Sequence, residues 1–160
     1  MTLPSRILLT GAAGRVGKAL RPILREQYDQ VLLSDLKEID DCQGSESFKQ
    51  GDIAEFEFVK SLAGACEGIV HLAGLVGSKF TFEENIGPNY VGTHNLFRAA
   101  VESGIKNVVY ASSHRVRDAA TDPSALNSKP GLNTIEEGVV GGGFAAVDFA
   151  GDKDRVLGSR

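Results

Sequence analysis

Tryptophan is absent from the 160-residue sequence, methionine occurs once and cysteine twice. Cys42 and Cys66 show no metal-ligand spacing, so we interpret them as free thiols in a reducing compartment. No apolar run approaches the roughly 20 residues that span a bilayer, and no basic amphipathic helix suits a membrane surface. The short apolar stretch near the N-terminus leads into a charged segment, unlike a signal peptide. These absences predict a cytoplasmic protein with no membrane partner.

Basic residues are also fewer than acidic residues. Lys and Arg number 17 against 21 Asp and Glu, which gives a net charge of −4 and a pI near 5.4. Nucleic-acid binding favours a basic face, so this balance predicts no nucleic-acid partner. The hydrophobic fraction of 42% and the length are ordinary for one globular domain with a buried core.

Short apolar runs alternate with segments of helical spacing from residue 6 to residue 113. The runs of strand type are RILLT, VLLS, GIVHLA and NVVYAS, with a weaker one at SFKQGD. Strands that are buried on both faces and separated by helices indicate βαβ units. The sequence therefore predicts an α/β fold: a Rossmann-like doubly wound parallel sheet, truncated after about the fifth strand, with an irregular C-terminal tail.

Two segments carry more detailed expectations. The first helical segment, RVGKALRPILREQ, places Val16, Leu20, Ile23 and Leu24 on one predicted apolar face. Pro22 lies inside this segment, where a proline favours a kink. Towards the C-terminus, VVGGGFAAVDF is apolar but interrupted by glycines. It is expected either to cover the exposed edge of the sheet or to add a strand to it.

Three glycines occur between the first predicted strand and the first helix, in LLTGAAGRVGKAL. Gly11 would let the chain turn sharply off the strand, Gly14 would let the backbone approach a pyrophosphate, and Gly17 would let the helix pack closely. The amides and dipole at the start of the helix would then face the phosphates. The alternative is a tight turn with a purely structural role.

Asp35 ends the second predicted strand, 18 residues after Gly17. A carboxylate at this place can accept hydrogen bonds from both hydroxyls of an adenine ribose and repel a 2′-phosphate, which favours NAD over NADP. Arg15, beside the glycine turn, is the feature that would favour NADP. The alternative role for Asp35 is that of a helix cap or a solvated loop carboxylate.

The motifs TGAAGRVG, LSD, GDI, HLAG, NYVGTHNLFRAA and VVYASS follow one another in that order. Their order resembles the extended short-chain dehydrogenase/reductase family, the NAD-dependent epimerases and dehydratases, and is most like the uronate dehydrogenase branch. The resemblance covers about residues 6–114. It implies an NAD-binding, Rossmann-like domain over residues 1–114, followed by a divergent tail over residues 115–160.

The resemblance also assigns residues to roles. It implies a catalytic serine, Ser113, whose hydroxyl orients the substrate oxygen, and no metal site. A sugar or sugar-acid substrate would meet Ser78, Ser112 and His114. The branch usually has an asparagine between the serine and the histidine, and this sequence lacks it. The implied cofactor-binding residues are Gly11, Gly14, Arg15, Val16, Gly17, Asp35, Asp52, Ile53, Leu72, Ala73, Gly74 and Asn89.

One part of the family pattern is missing. In that family a tyrosine and a lysine spaced Y-x-x-x-K follow the serine, and the lysine lowers the pKa of the phenol that takes the substrate proton. Here the tyrosines are Tyr28, Tyr90 and Tyr110, and none follows Ser113. We therefore expect an oxidoreductase-type chain that is catalytically incomplete, its tail altered by truncation or a changed reading frame.

Three alternatives stay open at this point. The chain is an oxidoreductase or sugar epimerase, a non-catalytic dinucleotide-binding module or inactive remnant, or a structural α/β domain with no ligand. Family members often dimerise through a helix pair that includes the Y-x-x-x-K helix. Since that helix is not legible in this sequence, a homodimer stays open as well.

Overall fold

The computed structural model describes residues 4–76, 80–111, 144–148 and 156–158. Strands and helices alternate along most of the chain, as the apolar pattern predicts. The strands are β1 (Arg6–Thr10), β2 (Gln30–Asp35), β3 (Glu46–Gln50), β4 (Gly68–His71), β5 (Asn107–Ala111), β6 (Phe144–Asp148) and β7 (Val156–Gly158). The helices are α1 (Arg15–Gln27), α2 (Phe56–Ala63), α3 (Phe82–Asn85) and α4 (Gly92–Glu102), with a π-helical segment (Ile86–Val91) joining the last two.

The strands form a single sheet in the order β3-β2-β1-β4-β5-β6-β7. The pairs among the first five strands are all parallel, which confirms the predicted doubly wound arrangement. β6 pairs antiparallel with β5, with Val108 opposite Val147, and β7 pairs antiparallel with β6. The apolar segment near the C-terminus thus adds a strand to the edge of the sheet, which is one of its two expected outcomes.

Each face of the sheet has its own hydrophobic core. One core packs α2 and α4 against the sheet and is centred on Leu8, Leu62 and Leu96. The other packs α1 against the opposite face and includes Leu9 and Leu33. β1 therefore contributes alternate side chains to both cores, as expected for a central parallel strand. Within the described part of the chain, no helix combines the length and apolar character that a membrane crossing requires.

Helix α1 is rotated relative to the predicted apolar face. It buries Gly17, Arg21 and Leu24, whereas Val16 and Ile23 are 55% and 49% exposed. The predicted face is wrong for Val16 and Ile23, because the close approach of α1 is made by the backbone of Gly17 against Gly11 and Ala12 of the glycine turn. The helix also continues through Pro22 without ending.

Arg21 is buried because acidic side chains form ion pairs with its guanidinium. Its guanidinium donates to both carboxylate oxygens of Glu46, at 3.0 and 2.8 Å, and to Asp41 at 2.7 Å. The Glu46 side chain is fully buried and also pairs with Arg25 at 3.3 Å. Burial opposes the charge of Glu46, but the hydrogen bonds from Arg21 and from the Gln43 amide outweigh it and lower the pKa of Glu46. This cluster anchors the helix-free connection between β2 and β3.

Candidate functional site

A cleft of about 250 Å³ opens at the carboxyl ends of the central strands. It lies where the chain, having run from β1 outward to β3, returns to place β4 on the other side of β1. Ligands of open α/β sheets bind at such a switch point. The cleft is lined by Gly11, Ala13, Gly14, Ser34, Asp35, Leu36, Lys37, Gly51, Ile53, Leu72, Ala73, Gly74, Leu75 and Pro88.

The glycine turn after β1 forms one wall of the cleft. Gly11 has a φ of +71°, and a Cβ atom there would lie only 2.6 Å from the amide nitrogen of Ala73. A side chain at Gly11 would therefore be strained and would collide with the chain after β4. A Cβ at Gly17 would lie 2.4 Å from the carbonyl oxygen of Gly11, so Gly17 allows α1 to start directly against the turn.

Asp35 connects this turn to the end of β2. Its carboxylate accepts hydrogen bonds from the amides of Ala13 and Lys37, each at 3.0 Å. A carboxylate has about four lone-pair directions, so two acceptor positions are left for a ligand. Asp35 thus orders the glycine turn and lines the cleft with unused acceptor capacity.

Asn89 closes the loop that follows β4. Its side-chain oxygen accepts from the amide of Leu75 at 2.7 Å, and its amide group donates to the carbonyl of Leu75 at 3.0 Å and to Asn85 at 2.8 Å. Asn89 does not line the cleft itself. It fixes the backbone of Gly74 and Leu75, which do.

A buried polar row supports the floor of the cleft. Thr10 Oγ1 lies 2.6 Å from Nδ1 of His71, whose Nε2 lies 3.3 Å from the Thr93 hydroxyl. The amide of Ala73 donates to Thr10 Oγ1 at 3.4 Å. His71 also stacks on Tyr110 with ring centroids 5.4 Å apart. Since burial disfavours the charged imidazole, the pKa of His71 is lowered to about 4, and the ring is neutral at physiological pH.

The cleft brings together most of the cofactor-binding residues that the sequence implied. Arg15, Val16 and Gly17 lie in the first turn of α1, outside the lining, and Asp52 accepts from the amide of Ala54 at 2.8 Å instead of lining the cleft. Those that line the cleft are Gly11, Gly14, Asp35, Ile53, Leu72, Ala73 and Gly74. The expected substrate-side residues Ser78, Ser112, Ser113 and His114 lie outside the described residues.

Several lining residues were missed by the sequence reasoning. Leu36 and Lys37 directly follow Asp35, and Gly51 directly precedes Asp52, so each is adjacent to a residue that was predicted. Ser34 directly precedes Asp35, at the end of an otherwise apolar strand. Adjacency to a predicted residue was thus the available clue for all four of these residues.

The sheet order, the glycine turn and the cleft at the switch point define a Rossmann-like α/β protein. The profile of the NAD dependent epimerase/dehydratase family matches residues 7–135, and the chain belongs to that family. NAD is the cofactor in the name of this family, which agrees with the expectation from Asp35.

Several proteins similar to this chain are uronate dehydrogenases. A uronate dehydrogenase of Pseudomonas putida is 36% identical over 69% of this chain and 41% of its own length, and one of Pseudomonas syringae pv. tomato is 38% identical over 70% and 41%. The crystal structure of uronate dehydrogenase from Agrobacterium tumefaciens, in a tyrosine-to-alanine mutant complexed with NAD, is 34% identical with a TM-score of 0.65. It matches 70% of this chain and 42% of its own. The chain thus spans about two fifths of these relatives.

Proposed function

We propose that this chain binds NAD in the cleft and is the cofactor-binding part of a uronate dehydrogenase-like oxidoreductase. The observation that carries the proposal is the direct link between Asp35 and the glycine turn, through the Ala13 amide at 3.0 Å. This link puts an acidic acceptor and a side-chain-free turn on the same cleft. A dinucleotide needs both, one for its ribose and one for its pyrophosphate.

The fit of the pyrophosphate rests on the space at Gly11. The carbonyl and amide atoms after β4 come so close that a Cβ atom would fill the cradle. The start of α1 lies next to it, and its first turn carries no acidic residue that would repel a phosphate. The amides and the helix dipole there would stabilise the negative charge.

The preference for NAD rests on the sign of the charge at Asp35. A 2′-phosphate next to this carboxylate would be repelled, whereas two ribose hydroxyls can donate to it. Lys37 also lines the cleft and would attract a phosphate. The effect of Asp35 outweighs that of Lys37 in this proposal. The hydrogen bond from the Ala13 amide holds the Asp35 carboxylate against the glycine turn, whereas the Lys37 side chain is exposed.

The proposed substrate class is a sugar acid or a related sugar. Besides the uronate dehydrogenases, a protein in complex with UDP-glucuronic acid and NAD is 32% identical over 69% of this chain, with a TM-score of 0.63. When bound, NAD would accept hydride from the substrate carbon. Ser113 would orient the reacting hydroxyl, with Ser78, Ser112 and His114 on the substrate side.

We further propose that residues 1–160 alone bind the cofactor without turning over a sugar acid. The sequence has no Y-x-x-x-K pair after Ser113 to take the hydroxyl proton. The Agrobacterium relative forms a complex with NAD in a tyrosine-to-alanine mutant, which supports the idea that binding does not need every tyrosine. A non-catalytic dinucleotide-binding module is therefore the second candidate function.

Calorimetric titration with NAD and with NADP tests the cofactor proposal. Wild-type protein should bind NAD more tightly than NADP. Asp35→Asn should weaken NAD binding by about tenfold or more, because a hydrogen bond to a charged group contributes roughly 1.5–3 kcal/mol, and it should narrow the gap to NADP. Asp40→Asn, an exposed position in the same connection, is the matched control. No heat of binding at millimolar NAD would refute the proposal.

Absorbance at the wavelength of reduced nicotinamide tests the catalytic part. With galacturonate, glucuronate or sugar nucleotides as substrates, the purified chain should produce no reduced cofactor above background. Robust turnover would contradict the proposal that this polypeptide is catalytically incomplete, and it would favour the oxidoreductase over the binding module.

A further inference from the structure

Ser34 has a buried hydroxyl for which the described part of the chain supplies no partner. The residue is 1% exposed, and among the described residues its Oγ is the buried side-chain polar atom that makes no hydrogen bond. Buried hydroxyls in proteins are nearly always bonded, because leaving one unpaired costs roughly 1–3 kcal/mol. Such an atom calls for a partner from outside the chain.

The neighbours of Ser34 in the sheet show that unpaired polar side chains are not a general feature of the site. In the parallel register Ser34 lies beside Thr10, and Thr10 lies beside His71. Both of those neighbours have partners, since Thr10 Oγ1 lies 2.6 Å from His71 Nδ1 and His71 Nε2 lies 3.3 Å from Thr93. Of the three neighbouring side chains of Ser34, Thr10 and His71, the unpaired one belongs to the residue that lines the cleft.

The position of Ser34 along the cleft indicates which part of a dinucleotide it would meet. It precedes Asp35, the acceptor proposed for the ribose, and shares the cleft wall with Leu36 and Gly51. Ser34 also borders the glycine turn, where the pyrophosphate would lie, because the amide of Ala12 donates to the Ser34 carbonyl at 3.3 Å. Ser34 thus lies between the places proposed for the ribose and for the phosphate next to it, and both of these groups belong to the adenosine half of the cofactor.

We propose that Ser34 is a further nucleotide-binding residue, whose hydroxyl gains its hydrogen-bond partner from the adenosine half of the dinucleotide. This inference rests on the proposed function, because it takes the cleft to be the NAD site. If the inference is right, the Ser34 hydroxyl destabilises the free protein and stabilises the complex with the dinucleotide. Removing it should therefore act on stability and on affinity with opposite signs.

The test compares Ser34→Ala with wild type in two measurements. In calorimetry, the variant should bind NAD about three- to tenfold more weakly, the range of one hydrogen bond, and should bind AMP more weakly by the same factor. In thermal unfolding without ligand, its melting temperature should be equal to or higher than that of wild type. Ser61→Ala is the matched control, because the Ser61 hydroxyl is exposed and bonds the carbonyl of Phe58 on α2.

Three results would overturn the inference. Affinity for NAD within twofold of wild type would mean that the hydroxyl meets nothing on the cofactor. A loss for NAD but not for AMP would place its partner outside the adenosine half. A lower melting temperature of the free variant, together with weaker binding, would indicate a structural role. Ser34→Cys, which keeps the size but donates weakly, should show the same affinity loss. Failure of wild type to bind NAD would refute the proposed function itself.

Discussion

The buried imidazole of His71 makes the stability of this protein depend on pH in a range that few other groups affect. Burial lowers the pKa of His71 from the ordinary 6.5 to about 4. Between these two values the unfolded chain binds a proton that the folded protein excludes. The stabilisation by neutral His71 is thus fully present above pH 6.5 and is lost as the pH falls towards 4.

The size of the effect follows from the shift. A difference of 2.5 pKa units corresponds to about 3 kcal/mol in total, of which about 2 kcal/mol is lost between pH 7 and pH 5. This is a large part of the 5–15 kcal/mol that usually stabilises a domain. The carboxylates with a lowered pKa, Asp41, Glu46 and Glu102, lose their contributions only below about pH 4.5, so they do not interfere in this window.

Urea unfolding followed by far-ultraviolet circular dichroism measures this dependence, because the chain has no tryptophan to serve as a fluorescent probe. The free energy of unfolding of wild type should fall by about 2 kcal/mol between pH 7 and pH 5 at a constant m-value. His71→Asn keeps a hydrogen-bonding atom near Thr10 but does not titrate. It should be less stable at pH 7 and lose much less between the two pH values. Equal losses in the two proteins would refute the reasoning.

Three further substitutions, the first of them compared with a control, should have distinct effects. Glu46→Gln should lower the free energy of unfolding by about 3 kcal/mol or more, because it removes the buried carboxylate that pairs with Arg21 and leaves this buried guanidinium with the exposed Asp41 as its charge partner. Glu102→Gln, at the exposed ion pair with Arg98 on α4, should cost less, and equal losses would contradict this account. Gly11→Ala should cost at least about 1–2 kcal/mol, because of the left-handed φ, and abolish NAD binding, as urea unfolding and calorimetry would measure. Asn89→Ala should cost about 1–3 kcal/mol in urea unfolding and weaken NAD binding; unchanged affinity would mean that the loop it holds does not meet the cofactor.

Local chemistry explains why part of this site could be predicted from the sequence. A glycine in the turn after a strand and an acidic residue at the end of a strand can each be recognised from a stretch of a few residues. Gly11 and Asp35 were therefore predicted to face the same ligand, and both line the cleft. The parallel pairing of the first five strands was similarly accessible, because runs that are apolar on both faces and alternate with helices favour a parallel sheet.

Partners that are distant in sequence explain what could not be predicted. Helical periodicity identified an apolar face on α1 but could not show that Arg21 would be buried, since its partner Glu46 lies on β3, 25 residues further along the chain. It also gave Val16 and Ile23 to the core, although both are about half exposed. Ser34 reads simply as the end of an apolar strand, because its lack of a hydrogen-bond partner depends on atoms that only the fold brings near it.

The bonds that Asp35 makes in the free protein have a thermodynamic consequence for association. The Ala13 amide is already tied to this carboxylate, and the amide of Gly14 already donates to the Gly11 carbonyl at 3.0 Å. Ordering one residue of backbone costs about 1–2 kcal/mol, and a turn held beforehand escapes that penalty when a dinucleotide arrives. The heat-capacity change on complex formation should then be small, reflecting the apolar surface covered in the cleft and not a segment that folds around its guest.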